Sequence, residues 1–87
     1  MYDLQYSDEA RSAIRAMDKP TRTRFQEGIQ ELARDPYGME SSQFPKGPPN
    51  PDYRICAVGR PSAVAVATYQ VTSRPPAMMI TVVRVAP

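Results

Sequence analysis

Tyr2, Leu4 and Tyr6 alternate with Asp3 and Gln5 at the start of the chain. That period of two predicts a short strand with one buried face. Ser7 closes it and opens a helix, because its hydroxyl can accept an orphan backbone N–H and the acids Asp8 and Glu9 complement the positive end of the helix dipole. Ala10, Ala13, Ile14 and Met17 follow at the spacing of one helical face, which predicts an amphipathic helix of about three turns. Asp18-Lys19-Pro20 predicts a second helix start, since aspartate can cap and proline is tolerated in a first turn. Phe25, Ile29, Leu32 and Ala33 form its apolar stripe, and Asp35-Pro36 ends it because the residue before proline is pushed out of the α region. With almost no linker between them, the two helices must form a tight hairpin.

Residues 36–51 hold five of the ten prolines and two of the four glycines, and no regular element is expected there. A loop of that length in a small chain is usually functional or mobile. Tyr53 to Val58 then reads as a strand, Gly59-Arg60-Pro61-Ser62 as a turn, and Ala63 to Val71 as the second strand of a hairpin. Ser73-Arg74-Pro75-Pro76 makes a further break before the β-branched run Met78 to Val85. The order β-α-α-β-β-β predicts an α+β fold: an antiparallel sheet with the helical hairpin packed on one face. The last strands are apolar on both alternations, with Met78, Ile80 and Val82 on one and Met79, Val83 and Val85 on the other. One hairpin covers one face, so an uncovered apolar patch, and with it a partner or a homodimer, is expected. The competing expectation is that the proline-rich loop folds back over part of that face.

A chain of 87 residues leaves room for one domain, 1–87. It contains no histidine and a single cysteine, Cys56. No intrachain disulfide, ordinary zinc set, Ser-His or Cys-His pair or histidine base can be assembled from it, and neither a metal nor a cofactor is implied. Cys56 is expected to be a small buried apolar residue. The acidic start and apolar runs of only four or five residues fit neither a signal peptide nor a membrane span, so a cytoplasmic protein is expected. Net charge is +2, but the distribution is uneven. From Gln43 onward Lys46, Arg54, Arg60, Arg74 and Arg84 face only Asp52, which makes them candidate phosphate contacts. Arg11, Arg15, Lys19, Arg22 and Arg24 make a second basic region on the helices.

Tyr6-Ser7 before the first helix, Leu32-Ala33-Arg34-Asp35-Pro36-Tyr37-Gly38 at the end of the second, Tyr53-Arg54-Ile55 opening the sheet and Ile80-Thr81-Val82-Val83-Arg84-Val85 closing it together resemble the RelE/ParE superfamily of bacterial toxins, the small cytosolic proteins of type II toxin–antitoxin modules. The resemblance covers nearly the whole chain. It implies an antitoxin-like protein partner, which in this family typically wraps the toxin as a helix or strand; Arg11, Arg15 and Arg22 on the helices, together with Met78, Ile80 and Val82 of the uncovered apolar face, are the candidate partner surface. It further implies a target that is messenger RNA on the ribosome for RelE-like members or DNA gyrase for ParE-like ones. Lys46 resembles the basic residue before the meander, Arg54 a basic strand position, and Arg84 the arginine frequent in the last strand of ParE-like members. Active members carry an arginine next to a tyrosine in the middle strand, where this chain has Ala63 to Val66, and continue past the last strand to a catalytic tyrosine or equivalent, where this sequence reaches Ala86-Pro87. Catalysis is therefore expected to be degraded, with no catalytic residue assigned and binding as the surviving activity. Two alternatives stay open: a working ribosome-dependent mRNA endoribonuclease with Tyr53 or Asp52 as an atypical acid or base, and a non-toxic homo-oligomeric interaction module.

Overall fold

The computed structural model describes all residues except Met1, Met39, Glu40, Arg60, Pro61 and Pro75. The described elements run β1 (Asp3–Tyr6), α1 (Asp8–Arg15), α2 (Lys19–Arg34), β2 (Ser41–Gln43), β3 (Tyr53–Val58), β4 (Ala65–Arg74) and β5 (Ala77–Ala86). They build one sheet in the order β1-β5-β4-β3-β2 with the helices on one face, the expected α+β architecture. β2 to β5 are antiparallel neighbours, whereas β1 pairs parallel to β5, with Leu4 opposite Ile80 and Tyr6 opposite Val82. The sheet is thus mixed. The helical hairpin carries the chain across one face between β1 and the meander, and that long connection is what a parallel neighbour requires.

Ser7 is the cap the sequence promises: its extended backbone precedes α1 and its Oγ accepts from the Ala10 N–H at 3.1 Å. Asp18 takes the corresponding place before α2 without a side-chain hydrogen bond. Pro20, second in the helix, removes one of the N–H groups a capping carboxylate would reach. The hairpin is closed instead by Arg22. Its Nε donates to the Ile14 carbonyl at 3.2 Å and its Nη2 to those of Arg15 and Met17 at 3.0 and 2.8 Å, tying α2 to carbonyls at and just beyond the end of α1.

Ala10 from α1 and Phe25, Ile29, Leu32 and Ala33 from α2 pack on Cys56, Val58, Ala65, Ala67, Tyr69, Val71, Ile80, Val82 and Val85 to form the core. Gly28 lets α2 approach β3 closely: a Cβ there would lie 2.7 Å from Val58 Cγ1 and 2.8 Å from the Gly59 backbone N. Ile80 and Val82 are fully buried, so they belong to this core and not to an open partner surface, while Met78 from the same set is exposed. They turn inward because the inner face of β5 is the one opposite Val71 and Tyr69, under the helices.

Two further expectations are corrected. The segment 36–51 does contain a regular element, since Ser41–Gln43 pairs with Cys56 to Arg54 at the sheet edge. Nothing in Ser-Ser-Gln shows a strand period; the pairing is held by side chains of β3 and β4. The alternation of β5 is also broken. Tyr69 pairs with Val82 and Thr68 with Arg84, so Val83 is an extra residue and Val85 lies inward with Ile80 and Val82, where strict alternation would put it outward.

Candidate functional site

The bulge at Val83 decides what the outer face of the sheet carries. Without it Arg84 would share the inward parity of Ile80 and Val82; with it Arg84 sits opposite Thr68 and points outward. Ser7 pins this irregularity with its N–H on the Val82 carbonyl at 2.9 Å and its Oγ on the Val83 carbonyl at 2.5 Å. The same serine begins α1, two residues before Glu9, whose Oε1 lies 3.9 Å from Arg84 Nε.

Beside this pair a shallow groove of about 390 Å³ runs across the outer face, lined by Glu9, Phe44, Tyr53, Ile55, Val66, Thr68, Val83, Arg84 and Ala86. Phe44 and Tyr53 meet with ring centroids 4.9 Å apart and planes inclined at 48°. Phe44, from the proline-rich loop, thus packs against one end of the face, beside half-buried Ile55, Val66 and Val83 and a buried Thr68. Arg74 has the same outward parity as Thr68 and Thr72. It stands six residues along β4 from the position opposite Arg84, about 20 Å at the rise of a strand. Lys46 is exposed in the loop that follows Phe44.

Arg54 lies on the inner side of β3, opposite Tyr69, beyond the end of α2. All three of its guanidinium nitrogens are engaged: Nε donates to Ser41 Oγ at 2.5 Å, Nη2 to the Ser41 carbonyl at 3.2 Å and Nη1 to the Pro51 carbonyl at 3.0 Å. Its Cζ lies 5.2 Å from the centre of the Tyr37 ring, a cation–π contact. Tyr69, fully buried, donates its hydroxyl to the Pro36 carbonyl at 2.6 Å and lies 2.8 Å from Ser41 Oγ. Tyr37 in turn donates to Asp52 Oδ1 at 2.6 Å. This network ties both ends of the 36–52 loop to β3 and β4. Burial raises the Tyr69 hydroxyl above its ordinary pKa, partly offset by the Ser41 contact, and burial together with the Asp52 carboxylate raises that of Tyr37.

Of the five candidate phosphate contacts, Arg74 and Arg84 share the outer face and Lys46 lies in the adjoining loop. Arg54 is on the opposite side, and Arg60 lies outside the described residues. Arg11 and Arg15 are exposed on α1, while Arg22 is spent on the end of that helix. Tyr53 lines the outer groove; Asp52 does not, being turned to Tyr37. Cys56 is buried and donates to the Ala57 carbonyl. A larger cavity of about 470 Å³ between α2 and β3 holds none of the candidate cations. Glu9 escaped sequence reasoning because it reads as an ordinary first-turn acid, and Ser41 because nothing in its neighbourhood marks it. Among the described residues no helix is long and apolar enough to cross a membrane.

No protein-family model and no curated protein sequence matches the chain. Solved structures do. A chain in the crystal structure of the intact Escherichia coli RelBE toxin–antitoxin complex is 21% identical and superposes with a TM-score of 0.68, covering 99% of this chain and 95% of its own. A chain in the archaeal RelE–RelB complex from Pyrococcus horikoshii OT3 is 16% identical with a TM-score of 0.67, covering 99% and 93%. The two helices, the mixed five-stranded sheet and their order therefore constitute a RelE-like fold, end to end.

Proposed function

We propose that this chain is the toxin-side member of a toxin–antitoxin pair and acts by binding, through the outer face of its sheet. In the neutralised state an antitoxin-like protein covers that face; in the free state the face takes a polyanion, namely single-stranded RNA. The observation that carries this reading is the groove itself, in which an aromatic pair, Phe44 and Tyr53, stands beside Arg84 on a face left open by the helices. Rings that stack on bases and cations that neutralise phosphates are the two elements of sequence-tolerant single-strand binding. The partner half of the reading is supported by the fold, since both structural neighbours are toxin–antitoxin complexes.

Expression of the chain alone in bacteria tests it. Growth arrest is expected, and the double substitution Phe44→Ala with Arg84→Ala should relieve it while the purified variant keeps its circular dichroism spectrum. Arrest that persists in the folded double variant contradicts the assignment to this face. Cleavage of transcripts by the purified chain contradicts action by binding alone.

A further inference from the structure

We propose that Glu9 is a built-in guard on Arg84, an anion of the chain's own that occupies the guanidinium until a phosphodiester ligand displaces it. This rests on the outer face being the polyanion-binding surface. One residue places both members of the pair: Ser7 caps the helix whose first turn carries Glu9 and holds the bulge that turns Arg84 outward. The Glu9 carboxylate sits in the first turn of α1, within reach of the guanidinium for which an incoming phosphate competes.

The strength of the contact suits exchange. At 3.9 Å, with side chains 67% and 68% exposed, the pair is loose. Such pairs shift an equilibrium by about fivefold at most, enough to discourage a single stray anion but not a multivalent one. The multivalent ligand is marked by the surroundings. Arg74 stands about 20 Å away on the same face, a span of several nucleotides, and the Phe44–Tyr53 pair offers base-stacking surface in the same groove. An anion arriving at Arg84 must replace Glu9, and the freed Glu9 then faces its phosphates, which penalises weak binders that cannot use the rings.

The test is fluorescence-anisotropy titration of a short labelled poly(U) strand with wild type, Glu9→Gln, Arg84→Gln, the double variant, and Asp8→Asn as a control that removes a neighbouring exposed charge. Glu9→Gln should tighten binding about two- to fivefold at low salt, an advantage that shrinks as added salt screens the exposed pair. Asp8→Asn should gain less, and on the Arg84→Gln background the two acid replacements should become equivalent. Binding that Arg84→Gln weakens but Glu9→Gln raises no more than Asp8→Asn overturns the guard while leaving the binding face standing. Failure of wild type and Glu9→Gln alike to bind overturns both, and tighter binding of poly-glutamate than of poly(U) overturns the nucleic-acid ligand.

Discussion

Ser7 donates through Oγ to the Val83 carbonyl, the residue at which β5 departs from its partner's register. That one contact joins the start of α1 to the irregularity that sends Arg84 outward. Ser7→Ala removes both the helix cap and the clamp on the bulge. The expected loss is about 1–2 kcal/mol, measured by urea denaturation, with the m-value unchanged because the surface exposed on unfolding is the same.

Tyr69→Phe keeps the ring and deletes the hydroxyl. The Pro36 carbonyl then loses its 2.6 Å donor in a buried setting. That carbonyl keeps the Ser41 Oγ donor at 3.1 Å, so the expected cost is that of one hydrogen bond, about 0.5–1.5 kcal/mol. Limited proteolysis should show faster cleavage within 36–52, since the hydroxyl is one of the ties holding that loop.

Arg54 and Arg84 separate a structural cation from a surface one. Arg54→Ala breaks three donated hydrogen bonds at the edge of the sheet and should lower stability by about 1.5–3 kcal/mol. Arg84→Ala should stay within about 0.5 kcal/mol of wild type and lose binding instead. Chemical denaturation and poly(U) titration of the two variants, side by side, give opposite rankings.

Gly28→Ala tests packing against propensity. Alanine favours an isolated helix by about 1 kcal/mol over glycine. Here its methyl would meet Val58 Cγ1 at 2.7 Å and the Gly59 backbone N at 2.8 Å, and the backbone cannot yield as a side chain can. Net destabilisation of about 1–3 kcal/mol is expected from overpacking, read as a lower thermal midpoint.

Alkaline pH weakens the fold through its tyrosines. Burial raises Tyr69 and Tyr6 above their ordinary value, and burial with Asp52 raises Tyr37. Each keeps its proton to higher pH in the native state than in the unfolded chain. Their contribution is complete below the unfolded value of about 10 and is lost as pH climbs through the raised native values. Urea midpoints should fall as pH passes about 10, and Tyr69→Phe should show a shallower decline.

Most of the elements were legible because each carried its own periodicity. The stripe Phe25, Ile29, Leu32, Ala33 is buried on α2, the alternation around Leu4 is β1, and Ser7 caps where a serine before two acids should. The open face was legible in outline, from too many apolar positions for one helical layer to cover. Its membership was not, because Val83 adds a residue to β5 and every side chain beyond it changes sides, a shift set by pairing with β4 and by Ser7 some 76 residues earlier.

The same limit applies to charge. Sequence placed Lys46, Arg54, Arg74 and Arg84 in one basic half, since charge counts need only composition. The tertiary structure divided them, sending Arg54 inward to Ser41 and Pro51, keeping Arg74 and Arg84 on the outer face, and setting Glu9 against Arg84. Local pattern fixes which segments become helix or strand, because those choices depend on neighbours a few residues away. Which cations remain available to a ligand depends on side chains brought together from distant parts of the chain, and that was decided only when the sheet closed its register.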